Sequence, residues 1–176
     1  MPNEFLTTEQ IRNVMTGALQ DFAKWDMELL HVKVQEETLS HRTAVYIEQR
    51  LGGWHIDCEY NRDLTHAKMS VDGLSRMRPD IIVHIRNSPH NLLVVEIKKT
   101  CHSKRQINAA KSRVQEFTGK WTKHPRYCHG AVLVFPVRAN DPKIVKCEWF
   151  HRDGCGAIHG GEPKTSTMSV PLINNS

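Results

Sequence analysis

The sequence predicts an α/β (α+β) fold with a central mixed sheet flanked by helices and an extra helix at the N-terminal end. Three observations lead there. Apolar residues recur at helical spacing within Thr7 to Phe22, Gln35 to Leu51 and Ser103 to Trp121. Strand-like runs lie between and after them, at Trp54 to Tyr60, Pro79 to Lys98 and Tyr127 to Val137. The 176 residues suit a single domain spanning 1–176, long enough to bury a core without disulfide or metal staples.

Thr7 to Gln10 fits a capping box, and Ile11, Val14, Met15, Ala18, Leu19 and Phe22 then share one helical face. This accessory helix occupies 7–30, and its apolar stripe serves either core packing or a homodimer contact. The second helix runs from about Gln35 to Leu51 and stops at Gly52-Gly53, where positive φ is allowed. At 100° per residue its buried face is Leu39, Thr43, Tyr46, Ile47 and Leu51, with Glu37, His41, Ala44 and Glu48 along the edge. Trp54 to Tyr60 forms the first strand. From Asn61 to Met77 the chain is polar and carries Arg62, His66 and Lys68. It suits a loop or hairpin over a phosphate backbone, or a plain solvated connection.

The next segment, RPDIIVHIRNSPHNLLVVEIKKT from Arg78 to Thr100, holds the chemistry. Period-2 alternation puts Asp80, Ile82 and His84 on one face of a first strand, and Leu92, Val94, Glu96 and Lys98 on one face of a second. Asn87-Ser88-Pro89-His90 is the turn between them. If the reactive faces coincide, two close registers remain, one setting Asp80 opposite Glu96 and the other opposite Lys98. Both hold the carboxylates roughly 5 to 8 Å apart. At about 5 Å and a dielectric near 20 they repel by about 3 kcal/mol, so a cation is needed. Hard oxygen ligands suit Mg²⁺ or Mn²⁺, and Lys98 adds a positive charge to orient water or offset charge on phosphorus. The chemistry implied is phosphodiester hydrolysis.

Downstream, Ser103 to Gln106 offers a second capping box, followed by an Ile107, Ala110, Val114, Phe117 and Trp121 stripe. The polar side of this helix carries Lys104, Arg105, Lys111, Arg113 and Lys120, which read as a DNA-phosphate surface or as a solvated face. Tyr127 to Val137 is a central strand, Ile144 to Phe150 adds another, and 152–176 reads as a loosely ordered tail.

Pro79-Asp80 followed by Glu96-Ile97-Lys98 resembles the signature of the PD-(D/E)xK nuclease superfamily, which includes restriction endonucleases and Holliday-junction resolvases. The resemblance covers roughly Glu36 to Val137. It implies a restriction-endonuclease-like αβββαβ core, placed within 33–151, and Mg²⁺-dependent DNA cleavage. By the same resemblance Asp80, Glu96 and Lys98 are catalytic, with Asp80 and Glu96 as metal ligands. An acid on the helix before the sheet joins the metal shell in many members. That role is carried to Glu37, with Glu36 and Glu48 as rivals. DNA contacts are expected from Lys104, Arg105, Lys111 and Lys68. Members that have lost catalysis leave a second expectation, a DNA-binding or protein-interaction module.

Composition narrows the alternatives. Lys and Arg total 24 against 19 Asp and Glu, a formal charge of +5 that favours a polyanionic partner weakly. Five widely spaced cysteines with no signal peptide ahead of them lead to the expectation of reduced thiols in a cytoplasmic protein. No run approaches a membrane span, and no organic cofactor motif is present. Cys147, His151, Cys155 and His159 recur every four residues, but the first pair falls on a strand and the second in a Gly-rich loop, which argues against zinc. Cys101-His102 and Cys128-His129 lack an orienting acid and, as neighbours, point apart, so a cysteine nucleophile has little support.

Overall fold

Both expected capping boxes form. Thr7 and Ser103 accept from the backbone N–H of Gln10 and Gln106, whose side chains reach back to the cap residues. They start helices α1 (Thr8–Asp26) and α3 (Lys104–Thr118), while α2 spans Glu36–Glu48. Gly53, at φ 82°, lets the chain leave α2 for the sheet. These coordinates come from a computed structural model that describes residues 6–32, 34–60, 62–63, 66–67, 78–119, 127–137, 144–151 and 164–172.

The strands are β1 (His55–Cys58), β2 (Arg62–Asp63), β3 (His66–Ala67), β4 (Ile81–His84), β5 (Asn91–Lys99), β6 (His129–Phe135), β7 (Ile144–His151) and β8 (Lys164–Pro171). Six of them make one mixed sheet in the order β1-β4-β5-β6-β7-β8, and β2 and β3 pair separately. Among the described strands only β5 and β6 run parallel, joined by α3, as a parallel pair requires a long crossover. The architecture is therefore α+β, a six-stranded mixed sheet flanked by helices.

Alternation sorts the strand residues between two cores. Ile81, Val83, Leu93, Val95 and Ile97 pack with residues of α1 and α2, while Ile82, Val94 and Val132 pack with Ala110, Val114 and Phe117 of α3. Covered on both sides, β4 and most of β5 are fully buried. Asn87 adopts φ 58° in the turn between them, a conformation Asn tolerates.

Some expectations need correction. Within the expected loose tail, Lys164–Pro171 forms β8, paired along its length with β7. Its Ser166, Met168 and Val170 alternate inward, a short period-2 pattern that the surrounding Gly, Pro and Ser residues hide. Cys58, Cys101 and Cys147 are free thiols, whereas Cys128 is disulfide-bonded, so uniformly reduced cysteines do not hold. The α3 stripe ends at Thr118, and Trp121 and Lys68 lie outside the described residues. No helix among the described residues is long and apolar enough to cross a membrane.

Candidate active site

Register decides which residues meet. Ile81 pairs with Val95, Ile82 with Val94 and Val83 with Leu93. One further step sets Asp80 opposite Glu96, the first of the two expected alignments. A bulge between Val83 and His84 breaks the ladder only at its other end.

At the Asp80 end a side chain takes the place of a ladder carbonyl. Asp80 Oδ2 accepts a 2.6 Å hydrogen bond from Ile97 N–H, which fixes the carboxylate against β5. Lys98 Nζ lies 3.9 Å from the same oxygen and donates to Glu36 Oε2 at 2.8 Å and to the Ile97 carbonyl at 2.6 Å. Only 8% of Lys98 is exposed, so its stem crosses the sheet end under cover and its ammonium is tied at defined points.

Glu96 is 2% exposed, and both its oxygens are held from α3. Arg113 Nη2 donates to Oε2 at 2.6 Å and Nε to Oε1 at 3.2 Å, a bidentate fork that compensates the burial of the charge. Burial, the Glu96 charge beside it and the Glu36 charge push the Asp80 carboxyl up to about 7, against the Ile97 hydrogen bond and the Lys98 charge. Three acids thus share a site with Lys98 and Arg113.

The helix acid that enters is Glu36; Glu37 is exposed on the solvent side of the first turn of α2. Helix phase decides between the two neighbours, because adjacent residues point 100° apart. Glu36 Oε1 lies 2.9 Å from His102 Nδ1, without the alignment of a hydrogen bond, and is otherwise a buried carboxylate oxygen with no donor. No protein-family model, curated protein or solved structure matches the chain.

The expected DNA-contacting residues separate. Lys104 and Arg105 are exposed at the start of α3. Lys111 instead pairs with Glu148 of β7 at 2.5 Å. Arg113, expected on the DNA-phosphate or solvated face of α3, instead turns to Glu96, and the part played by His102 escaped sequence reasoning. Arg113 adjoins the Ala110 and Val114 stripe, so its phase at the edge of the buried face was the available signal. The contact of His102 with Glu36 depends on the turn after β5, for which no sequence pattern speaks.

Among the described residues no three of His, Cys, Asp and Glu are gathered to hold a metal ion. The nearest candidate set is Asp80 and Glu96, whose partners here are the Ile97 N–H and Arg113.

Proposed function

We propose that the chain is a Mg²⁺- or Mn²⁺-dependent nuclease that hydrolyses phosphodiester bonds in DNA. The observation that carries the reading is the convergence of Asp80 and Lys98, 3.9 Å apart, beside Glu96 on neighbouring strands. The order α2, β1, β4, β5, α3, β6 supports it as well, since αβββαβ is the core expected from the resemblance to PD-(D/E)xK nucleases.

The donor set fits a hard dication. Mg²⁺ is usually bound through one or two carboxylates, with waters and substrate phosphate completing the shell, so three protein ligands are not required. Asp80 holds its proton to about 7 because it is buried beside the Glu96 charge, a repulsion that a bound dication would relieve, and Glu36 Oε1 is buried without a hydrogen-bond donor. Asp80 and Glu96 would hold the ion, which when bound supplies a Lewis acid at the scissile phosphate and a more acidic water. Lys98, oriented by Glu36 and the Ile97 carbonyl, presents a fixed ammonium to the charge that develops on phosphorus. Arg113 holds Glu96 in place through both of its carboxylate oxygens. The exposed Lys104 and Arg105 would bear on the DNA backbone.

A second reading has its own observation. The Arg113 fork already neutralises Glu96, as in a site that keeps its acids for structure alone. The protein would then bind DNA or a protein partner without cleaving. Incubation with supercoiled, linear, branched and single-stranded DNA separates the two readings. Nicking that stops with EDTA and returns with excess Mg²⁺ supports the nuclease; intact DNA throughout, with Mg²⁺ and with Mn²⁺, removes it.

A further inference from the structure

We infer that the cavity between α3 and the sheet, beside Glu96 and Lys98, is a subsite for one unpaired nucleotide of the substrate; this rests on the nuclease reading above. The cavity measures about 290 Å³. Its apolar surface comes from Ile107 of α3 and from Val132 and Val134 of β6.

Its position follows from register. Val132 is the β6 partner of Glu96, and Val134 is the partner of Lys98, so the cavity floor lies one strand, about 4.8 Å, from the candidate reacting groups. On the far side the same two rows continue to Glu148 and Lys146 of β7. The Glu96-x-Lys98 pair of β5 is thus repeated in reverse by Lys146-x-Glu148, with the two valines between. A phosphate at Asp80, Glu96 and Lys98 would set its attached nucleoside against Val134 and Ile107, the partly exposed apolar residues of the cavity.

The lining suits that occupant. A flat base takes the aliphatic floor, as extruded bases do between apolar side chains. Lys111 is paired with Glu148, which leaves the exposed Lys146 at the rim as the positive charge for a neighbouring phosphate, while Thr100 and Thr167 offer hydroxyls to sugar or base edges. Size sets the selectivity. At about 290 Å³ the space is at the small end of ligand pockets, enough for one nucleoside and too small for a stacked pair. A base inside a duplex enters only by leaving its stack, so single strands, flaps and frayed ends are favoured.

The test uses the full chain with ¹³C-labelled Ile and Val methyls, without divalent metal, titrated with deoxyadenosine monophosphate. Methyls of Ile107, Val132 and Val134 shift, and Thr167→Trp, an exposed edge-strand change at the cavity wall, abolishes the shifts. Short single-stranded DNA binds about tenfold or more tightly than a blunt duplex of the same sequence, and Lys146→Glu narrows that ratio. Unmoved methyls, shifts that survive Thr167→Trp, or equal affinity for duplex overturn the inference. Methyl shifts in a protein that never cleaves with Mg²⁺ support the subsite while removing the nuclease reading.

Discussion

Arg113 of α3 holds both carboxylate oxygens of Glu96, at 2.6 and 3.2 Å, across the layer between helix and sheet. Glu96 is almost wholly buried, whereas the Arg113 side chain is 40% exposed. The pair therefore stabilises chiefly by sparing Glu96 an uncompensated burial. Removing one partner of a buried pair costs about 3 to 5 kcal/mol, and solvent beside Arg113 reduces this to about 1 to 3. Arg113→Ala is expected to lower the melting temperature in EDTA, with Mg²⁺ restoring part of the loss by replacing the missing charge. A calorimetric scan of the variant with and without Mg²⁺ measures both, and a loss unaffected by Mg²⁺ speaks against Glu96 as a ligand.

Asp80 makes stability depend on pH. Its carboxyl releases its proton near 3.8 in the unfolded chain and at about 7 in the fold, raised first by burial and next by Glu96. A raised folded-state value means that this group's contribution is fully present below pH 4 and is lost as pH climbs through 7. Denaturant melts of the wild type should weaken between pH 5 and 8, and Asp80→Asn should flatten that slope. Mg²⁺ competes with the proton, so it should stabilise the wild type more at pH 8 than at pH 5. Equal stabilisation at both would separate the ion from Asp80.

Lys98 is held by two acceptors, and its loss leaves Glu36 buried beside Asp80. Lys98→Met keeps much of the stem and removes the charge. Cleavage is expected to fall by about 10²-fold or more, the usual cost of losing one fixed transition-state donor. Lys98→Arg should not rescue it, because a planar fork does not reproduce a point ammonium in this enclosure. Single-turnover rates at saturating Mg²⁺ provide the comparison.

Gly130 lies where Val114 and Thr118 of α3 pack against the sheet. A Cβ there would collide with Val114 Cγ1 and come within 3.0 Å of Thr118 Cγ2. Gly130→Ala should cost about 1 to 3 kcal/mol as an overpacked core change. Because Arg113 rides on α3, the displaced helix should also reduce activity at temperatures where the variant remains folded. Urea melts and cleavage rates of the same preparation separate the two effects.

Much of this arrangement was legible in the sequence. Period-2 alternation put Asp80 and Glu96 on one face, both capping boxes formed, and the buried stripe of α2 is Leu39, Tyr46 and Ile47 as read. The register was confined to two choices because a slip by one residue would put Asp80 and Glu96 on opposite faces of the sheet. Long-range contacts were less visible. Glu36 and Glu37 differ only by helix phase, which depends on where α2 begins, and an unknown start leaves the choice open. The pairing of Arg113 with Glu96 needs the height of α3 along β5, which the crossover length does not specify. Strand β8 was hidden by its flanking composition, since pairing with β7 sets its state more than its own propensity does.

Single-turnover cleavage of end-labelled single-stranded and flapped DNA by wild-type protein, Asp80→Asn and Lys98→Met, each verified as folded, tests the two-carboxylate centre most directly. Mg²⁺-dependent cleavage by the wild type, reduced about 10²-fold or more in both variants, is the expected result. Wild-type protein without activity in Mg²⁺ or Mn²⁺, or variants that cut as fast as wild type, would contradict it.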